Sequence, residues 1–265
     1  RRHADMAMYR AKTSAKGSIA FFNRELGRIA VEKLKLEQRL RHALETRAFR
    51  CALQQKVDIR SHAVVGFEAL LRWVDERGDV HRPGHFLPLA SKLGLLDDMT
   101  FLLLDDLLGN LPFLDAQYGT TLRYSINISP VQATRNQFMQ KLVQRLHASG
   151  RASSFMLELT EETIAATCSF QSHILPLLRE GGIGLSIDDF GTGYSSLSYL
   201  QRFPIDCLKV DRGFVGDMDD HGNRVIVRTV VNLAHSLGLE VVAEGIETPR
   251  QEALLKEFGC DFGQG

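Results

Sequence analysis

The chain has 265 residues, of which 44% are hydrophobic and 24% are charged, and its 32 basic residues balance 32 acidic ones. These fractions are ordinary for a folded globular protein and exclude a disordered, collagen-like or disulfide-stapled chain. A formal net charge of zero offers no global positive field for a nucleic-acid polymer, so we expect no such partner.

The cysteines and the hydropathy pattern indicate a reducing compartment. Cys51, Cys168, Cys207 and Cys260 form no CxxC pair, which predicts reduced and mostly buried thiols rather than a zinc site. No apolar run approaches the roughly 18 residues that cross a bilayer, and no secretory leader is recognisable. We therefore expect a cytoplasmic segment without membrane contact. The opening residues read as the middle of a helix, so a longer parent is expected, with room upstream for a membrane anchor.

The first 47 residues are predicted to precede the main domain. Residues 1–15 carry apolar residues at helical spacing, and residues 18–22 have the composition of a short strand. Residues 23–47 are predicted to form one charged helix with an apolar side and no proline. A helix of this kind between two differently patterned regions is most simply a connector. A coiled-coil contact with a partner is the alternative.

After residue 48, strand-like runs alternate with helical ones. The strands are predicted at residues 49–57, 64–70, 122–127, 155–160, 184–188, 207–210, 239–243 and from 259 onward. The helices are predicted at residues 83–93, 99–115, 136–149, 170–180, 195–202, 223–237 and 249–258. This alternation favours an α/β fold, a TIM-type (β/α)8 barrel. The first link is too short for a parallel crossover, so we expect a modified barrel with an antiparallel first strand and without its last helix.

Polar side chains stand at or near the ends of most of these apolar strands. They are Glu68, Asn127, Glu158, Glu161, Asp188, Asp189, Lys209, Asp211, Glu244 and Glu247. The carboxyl-terminal ends of barrel strands converge on one mouth, so we expect these groups to face a single pocket. Clustered carboxylates repel unless cations neutralise them, and oxygen ligands without His or Cys suit Mg²⁺ or Mn²⁺. Two adjacent aspartates would allow one carboxylate to bridge two metal ions, an arrangement that splits phosphoesters.

Simpler interpretations of the same residues stay open at this point. A single carboxylate at a strand end is more often a helix cap or a surface charge, and only the whole set indicates a metal site. The segment at residues 188–197, DDFGTGYSSL, has two glycines and three hydroxyl side chains, which fit a plain turn as well as a phosphate-binding loop. Beside the aspartate pair, we interpret it as a loop that covers the substrate.

Together these residues stand in motifs that resemble those of the EAL domain, whose members hydrolyse the bacterial second messenger cyclic di-GMP. The motifs are, in order, GFEALLRW, NISPVQ, LELTEE, DDFGTGYSSLSYL, LKVDRGFV, AEGIET and the closing QG. The opening ADMAMYRAKTSAKG with SIAFF resembles the end of a GGDEF, or diguanylate cyclase-like, domain. The expected organisation is a GGDEF remnant at residues 1–22, a connecting helix at 23–47 and an EAL domain at 48–265.

The resemblance also implies a role for each residue of the site. The first metal ion would be held by Glu68, Asn127, Glu158 and Asp188. The second would be held by Asp188 as the bridging ligand, Asp189 and Glu244. The catalytic groups would be Glu68, Lys209 beside the nucleophilic water and the phosphate, and Glu244 as the candidate general base. Substrate contacts are implied for Gln54, Leu70, Arg72 and Gln264, and support of the ligands and of the loop for Glu161, Glu247 and Asp211.

The hypothesis from the sequence is hydrolysis of cyclic di-GMP to linear 5′-pGpG with two Mg²⁺ or Mn²⁺ ions per active site. The alternative is a receptor that binds cyclic di-GMP without cleaving it, although EAL domains of that kind typically lack one or more acidic ligands. A third interpretation is a metal-dependent barrel enzyme that acts on another phosphoester. The resemblance implies upstream GGDEF and sensor domains as partners and allows a homodimer.

Overall fold

The computed structural model describes residues 24–161, 163, 174–191, 200 and 203–265. The segments predicted at residues 1–22, the thiol of Cys168 and the loop residues 192–197 lie outside the described residues. The chain divides into two compact units. The first contains the described residues up to Phe49 together with Trp73–Leu96, and the second contains Arg50–Arg72 and Asp97–Gly265.

Eight strands close into a barrel, as predicted. They are β1 (Phe49–Asp58), β2 (Val64–Val74), β4 (Arg123–Asn127), β5 (Phe155–Thr160), β6 (Gly184–Phe190), β7 (Cys207–Val210), β8 (Glu240–Glu244) and β9 (Phe262–Gln264). The order around the barrel is β1-β9-β8-β7-β6-β5-β4-β2, and pairing of β1 with β2 closes it. Strand β1 is antiparallel to β9, whereas the other consecutive pairs from β2–β4 to β8–β9 are parallel. The short link at residues 59–63 forces this reversal, which confirms the predicted departure from a regular barrel.

The described helices fall between the strands as the alternating pattern predicted, whereas the helix predicted at residues 195–202 and the start of the one at 170–180 lie outside the described residues, apart from residue 200. The described helices are α1 (Arg24–Glu45), α2 (Pro83–Lys92), α3 (Leu96–Tyr118), α4 (Pro130–Ala133), α5 (Asn136–Ala148), α6 (Leu175–Glu180), α7 (Arg212–Gly216), α8 (His221–Ser236) and α9 (Pro249–Phe258). Helix α9 begins with a capping box, in which Thr248 accepts from the backbone N–H of Gln251, and ends at Gly259 with a φ of 81°. Because Gly259 ends this helix, the last strand begins at Phe262 rather than at residue 259 as predicted.

The two faces of the barrel strands differ in chemistry. Side chains such as Ile126, Leu157 and Leu208 belong to the large apolar core and have no exposed surface. The residues that alternate with them carry polar groups, so buried Glu158 and Lys209 lie on the opposite face of the same strands. One face therefore anchors the barrel in its apolar core, and the other carries the chemistry.

The first unit has a small aromatic core of its own. The rings of Phe49, Trp73 and Phe86 lie 5.7 to 6.5 Å apart between centroids. The guanidinium of Arg39, on α1, lies 4.6 Å from the centroid of Trp73, and its Nη2 donates to Asp75 Oδ2 at 2.8 Å. Strand β3 (Val80–His81), which the sequence pattern did not predict, pairs with the end of β2 in this unit. Within the described ranges, no helix is both long and apolar enough to cross a membrane.

Candidate active site

The polar residues at the strand ends become neighbours through the register of the sheet. Asn127 on β4 pairs with Glu158 on β5, and Glu244 on β8 pairs with Gln264 on β9. Glu68, near the middle of β2, pairs with a residue of β4 in the same parallel set. The carboxyl-terminal ends of these strands open on one side of the barrel, which we call the mouth.

At the centre of the mouth, the ammonium group of Lys209 contacts four carboxylates. The distances from Lys209 Nζ are 2.5 Å to Glu244 Oε1, 2.6 Å to Glu158 Oε2, 3.1 Å to Asp188 Oδ1 and 3.5 Å to Glu68 Oε2. Only 1% of the Lys209 side chain is exposed. Four of the predicted metal ligands thus surround one buried cation, so the structure brings these predicted site residues together.

Glu158 lies between two lysines. Its Oε2 accepts from Lys209, and its Oε1 accepts from Lys56 Nζ at 2.6 Å. Lys56 also donates to Ser125 Oγ at 2.6 Å. Burial alone would raise the pKa of the Glu158 carboxyl, but the two lysines, Lys56 first, hold it at about 2. Glu158 is therefore a permanent carboxylate at the bottom of the mouth.

Sequence reasoning missed Lys56. It occupies β1 two residues after Gln54, so the two-residue period of a strand places both on the same face. The available signal for Lys56 was its position on the same strand face as Gln54, a predicted substrate residue. A lysine near the end of a strand is usually solvated, which is why the pattern alone did not single it out.

Two amide side chains fix the orientation of Glu68. Asn127 Nδ2 donates to Glu68 Oε1, and Gln264 Nε2 donates to Glu68 Oε2, each at 2.6 Å. Glu68 is buried, with 6% of its surface exposed. Gln264, which the family resemblance predicts to meet the substrate, therefore contacts a predicted metal ligand in this structure. Its Oε1 is buried without a hydrogen-bond partner.

The aspartate pair owes its geometry to an irregularity in β6. The pairing of β6 with β7 shifts register between Ile187 and Phe190, and Asp189 has a φ of 52°. In a regular strand, consecutive side chains point to opposite faces, whereas here Asp188, Asp189 and Glu244 each offer a carboxylate oxygen within 4.8 Å of the others. The left-handed backbone at a non-glycine residue costs about 1 kcal/mol, and such strain is typical of functional sites.

Burial sets the pKa values of this group. It raises the pKa of Asp188 and Asp189, and it raises that of Glu244 to about 7, although Lys209 opposes the effect. For Lys209 itself, burial would lower the pKa, but the surrounding carboxylates, that of Glu158 first, raise it well above the ordinary value. Lys209 therefore stays protonated, whereas burial disfavours the ionised forms of Asp188, Asp189 and Glu244.

The charge balance of the mouth fits a divalent cation. Among the described residues, five carboxylates meet two ammonium groups, so negative charge is in excess when all of them are ionised. The carboxylates belong to Glu68, Glu158, Asp188, Asp189 and Glu244, and the ammonium groups to Lys56 and Lys209. Oxygen ligands of this kind bind hard cations such as Mg²⁺ or Mn²⁺. The donor set of the mouth therefore fits the metal that the sequence predicted.

The other predicted residues lie around this centre. Asp211 caps α7 by accepting from the N–H of Gly213 at 2.9 Å, and its charge contributes to the raised pKa of Asp189. Glu161 is half-buried directly after β5, and Glu247 is exposed, with its N–H donating to Gln251 Oε1 at 2.8 Å.

The three predicted substrate residues of β1 and β2 are half-buried. They are Gln54, Leu70 and Arg72. Arg72 Nη1 donates to the carbonyl of Leu71 at 2.9 Å rather than to the carboxylate cluster. Their roles toward a substrate therefore stay predictions.

Comparison with known proteins identifies relatives of the whole chain. The family model described as EAL domain matches residues 37–265. The protein named bifunctional diguanylate cyclase/cyclic di-GMP phosphodiesterase MucR, from Pseudomonas aeruginosa, is 38% identical over 266 residues, which cover 99% of this chain and 39% of that protein. The cyclic di-GMP phosphodiesterase NbdA of the same organism is 34% identical over 100% of this chain and 34% of its own length. The chain thus spans between a third and two fifths of the length of these relatives.

A solved structure has the same fold. It is described as PaMucR phosphodiesterase in complex with c-di-GMP, with a TM-score of 0.80 and 36% identity. The match covers 87% of this chain and 94% of the other. The barrel with its reversed first strand is therefore the architecture of a known protein group.

Proposed function

The chain belongs to the EAL domain family, and from this membership and the chemistry of its mouth we propose that it hydrolyses cyclic di-GMP to linear 5′-pGpG. The observation that carries the proposal is the convergence of four carboxylates from four strands on Lys209. Relatives named as cyclic di-GMP phosphodiesterases, and a similar structure described with c-di-GMP, support the choice of substrate.

Two divalent cations, Mg²⁺ or Mn²⁺, belong to this proposal. One would be held by Glu68, Asn127, Glu158 and Asp188, and the other by Asp188, Asp189 and Glu244. The excess of carboxylates over ammonium groups supports this assignment. When bound, such cations supply Lewis acidity toward a phosphoryl oxygen and lower the pKa of a coordinated water.

The residues of the chain have distinct parts in the proposed reaction. Lys209 keeps its proton, because its pKa lies well above the ordinary value, so its positive charge stabilises the negative charge that develops on the phosphoryl group. Glu244 is the candidate general base and would accept a proton of the attacking water. The oxygen of water adds to phosphorus as the bond from phosphorus to the 3′-oxygen breaks, and the proton that the water loses balances the proton that the 3′-oxygen takes up. The guanidinium of Arg72 would pair with phosphate oxygens through two hydrogen bonds.

The test is incubation of the protein with cyclic di-GMP and Mg²⁺, followed by chromatography of the products. We expect pGpG, no product in EDTA, and no product from Glu68→Ala or Asp188→Ala. Near-normal turnover in either variant would contradict the ligand assignment. Tight binding of cyclic di-GMP without product in any metal would identify a receptor instead, and hydrolysis of other phosphoesters in its place would identify a different barrel enzyme.

We further infer that residues 1–22 are the end of a GGDEF domain and that residues 23–47 connect it to the EAL domain at 48–265. The support is the motif resemblance and the alignment with MucR over 99% of this chain, since MucR is named as a diguanylate cyclase as well. The upstream coding sequence tests this: it should encode a GGDEF signature. Its absence would contradict the inference. A cytoplasmic location and upstream sensor domains belong to the same proposal. A homodimer also belongs to it, and light scattering would detect this homodimer.

A further inference from the structure

Lys56 reaches Glu158 from the end of the barrel opposite to the mouth. It lines a cavity of about 400 Å³ with Met156, Cys207 and Val242. Met156 lies near the start of β5, and Cys207 is the first residue of β7, so this cavity lies at the amino-terminal ends of the parallel strands. We call it the floor cavity. The ammonium group of Lys56 thus separates the floor cavity from the proposed metal site.

The contacts of Lys56 distinguish the two oxygens of Glu158. Lys56 Nζ donates to Glu158 Oε1 at 2.6 Å and to Ser125 Oγ at 2.6 Å, so the lysine that holds Oε1 is itself anchored by a second bond. Oε2 is consequently the oxygen directed at Lys209, the residue that contacts the other carboxylates of the mouth. Both side chains of the Lys56–Glu158 pair are buried, with 9% and 0% exposed. In such an environment a charge-assisted hydrogen bond is strong and solvent does not compete with it.

We propose that Lys56 is a positioning residue, which fixes the rotamer of Glu158 from the floor cavity and thereby selects Oε2 as the oxygen offered to a divalent cation. The proposal rests on the proposed function for the metal ligands. Without Lys56, Oε1 would lose its fixed partner, and Glu158 could rotate toward Lys209 with either oxygen. A group that orients a ligand in this way typically changes metal affinity by about 10- to 100-fold when it is removed.

A structural role alone would give a different result. Removing one member of a buried ion pair destabilises a protein wherever the pair lies, so a lower melting temperature says nothing about positioning. The affinity for a metal ion and its recovery by an added cation do report on positioning. Both can be measured without substrate, at a temperature where circular dichroism shows a folded protein.

The experiment compares Lys56→Met, which keeps most of the apolar stem and loses the charge, with Arg123→Met. Arg123 lines the same floor cavity and forms an ion pair with Glu240, not with Glu158. Isothermal titration with Mn²⁺ should show affinity weakened about tenfold or more in Lys56→Met, with a changed electron paramagnetic resonance spectrum of the bound ion. In Arg123→Met, the affinity should stay within about twofold of the natural protein.

A second variant tests the mechanism by chemical rescue. Lys56→Ala lengthens the floor cavity up to Glu158, so propylammonium chloride should restore part of the Mn²⁺ affinity, whereas tetramethylammonium chloride, which has no N–H donor, should not. Unchanged Mn²⁺ affinity in both folded Lys56 variants would overturn the proposal while leaving the proposed function intact. Absence of Mn²⁺ binding by the natural protein would instead contradict the proposed metal site and the inference with it.

Discussion

Replacement of Lys209 by methionine is expected to destabilise the protein when no divalent cation is present. The substitution removes the cation that contacts four carboxylates, and those side chains are at most 19% exposed. Breaking a buried ion pair by removing one partner costs about 3–5 kcal/mol. In a protein of this size, 1 kcal/mol shifts the melting temperature by roughly 2–4 °C. We therefore expect Lys209→Met in EDTA to melt roughly 10 °C below the natural protein.

Divalent cations should reverse much of this loss, because they supply the missing positive charge. At a concentration 100 times the dissociation constant, a bound ion adds about 2.7 kcal/mol of stability. Differential scanning fluorimetry in EDTA and in Mn²⁺ measures both effects, and Lys141→Met, at an exposed position on α5, is the control. A Lys209→Met variant that melts within about 2 °C of the natural protein in EDTA would show that Lys209 does not neutralise the four carboxylates.

Three further predictions concern the thiols, one glycine and the metal. Cys207 and Cys260 are buried, and burial raises the pKa of each thiol to about 12. Iodoacetamide at pH 8 should therefore label these thiols only after the protein unfolds. Rapid labelling of the folded protein, measured by mass spectrometry, would contradict this prediction. Gly245→Ala should destabilise the protein more than Gly238→Ala: both glycines have φ near 73°, but only at Gly245 would the new Cβ lie 2.6 Å from the Cβ of Arg212. Equal urea midpoints for the two variants would refute the crowding argument. The natural protein should melt at a lower temperature in EDTA than in Mn²⁺, because ions bound only by the folded mouth stabilise it; equal melting temperatures would contradict binding.

Much of the fold could be predicted, because each barrel strand carries its own signal. The apolar runs and their links gave all eight strands and the reversed first one, since a link of a few residues permits only antiparallel pairing. Strand β2 extends to Val74 rather than to residue 70, because its end pairs with β3 (Val80–His81). A two-residue strand has no periodicity of its own, so neither the strand nor the extension could be predicted.

The site was predictable in its composition and less so in its connections. Carboxylates at strand ends indicated the mouth, but the partners of a side chain depend on the closed barrel. Lys56 approaches Glu158 from the end of the barrel opposite to the mouth. Gln264 on β9 donates to Glu68 on β2, two strands that come close only when the barrel closes. The register shift in β6 brings the carboxylate of Asp189 to the same side of the strand as that of Asp188. This shift depends on the pairing of β6 with β7 and has no signature in the local sequence.

In the proposed reaction, water cleaves one phosphodiester of cyclic di-GMP in the mouth of this barrel. The most direct measurement is the mass of the product formed with Mg²⁺ in water enriched in heavy oxygen. We expect linear pGpG with one heavy oxygen atom in its 5′-phosphate, and no such product from Asp188→Ala. Intact cyclic di-GMP recovered from a protein that binds it would contradict hydrolysis in the mouth, as would incorporation of the heavy oxygen by Asp188→Ala.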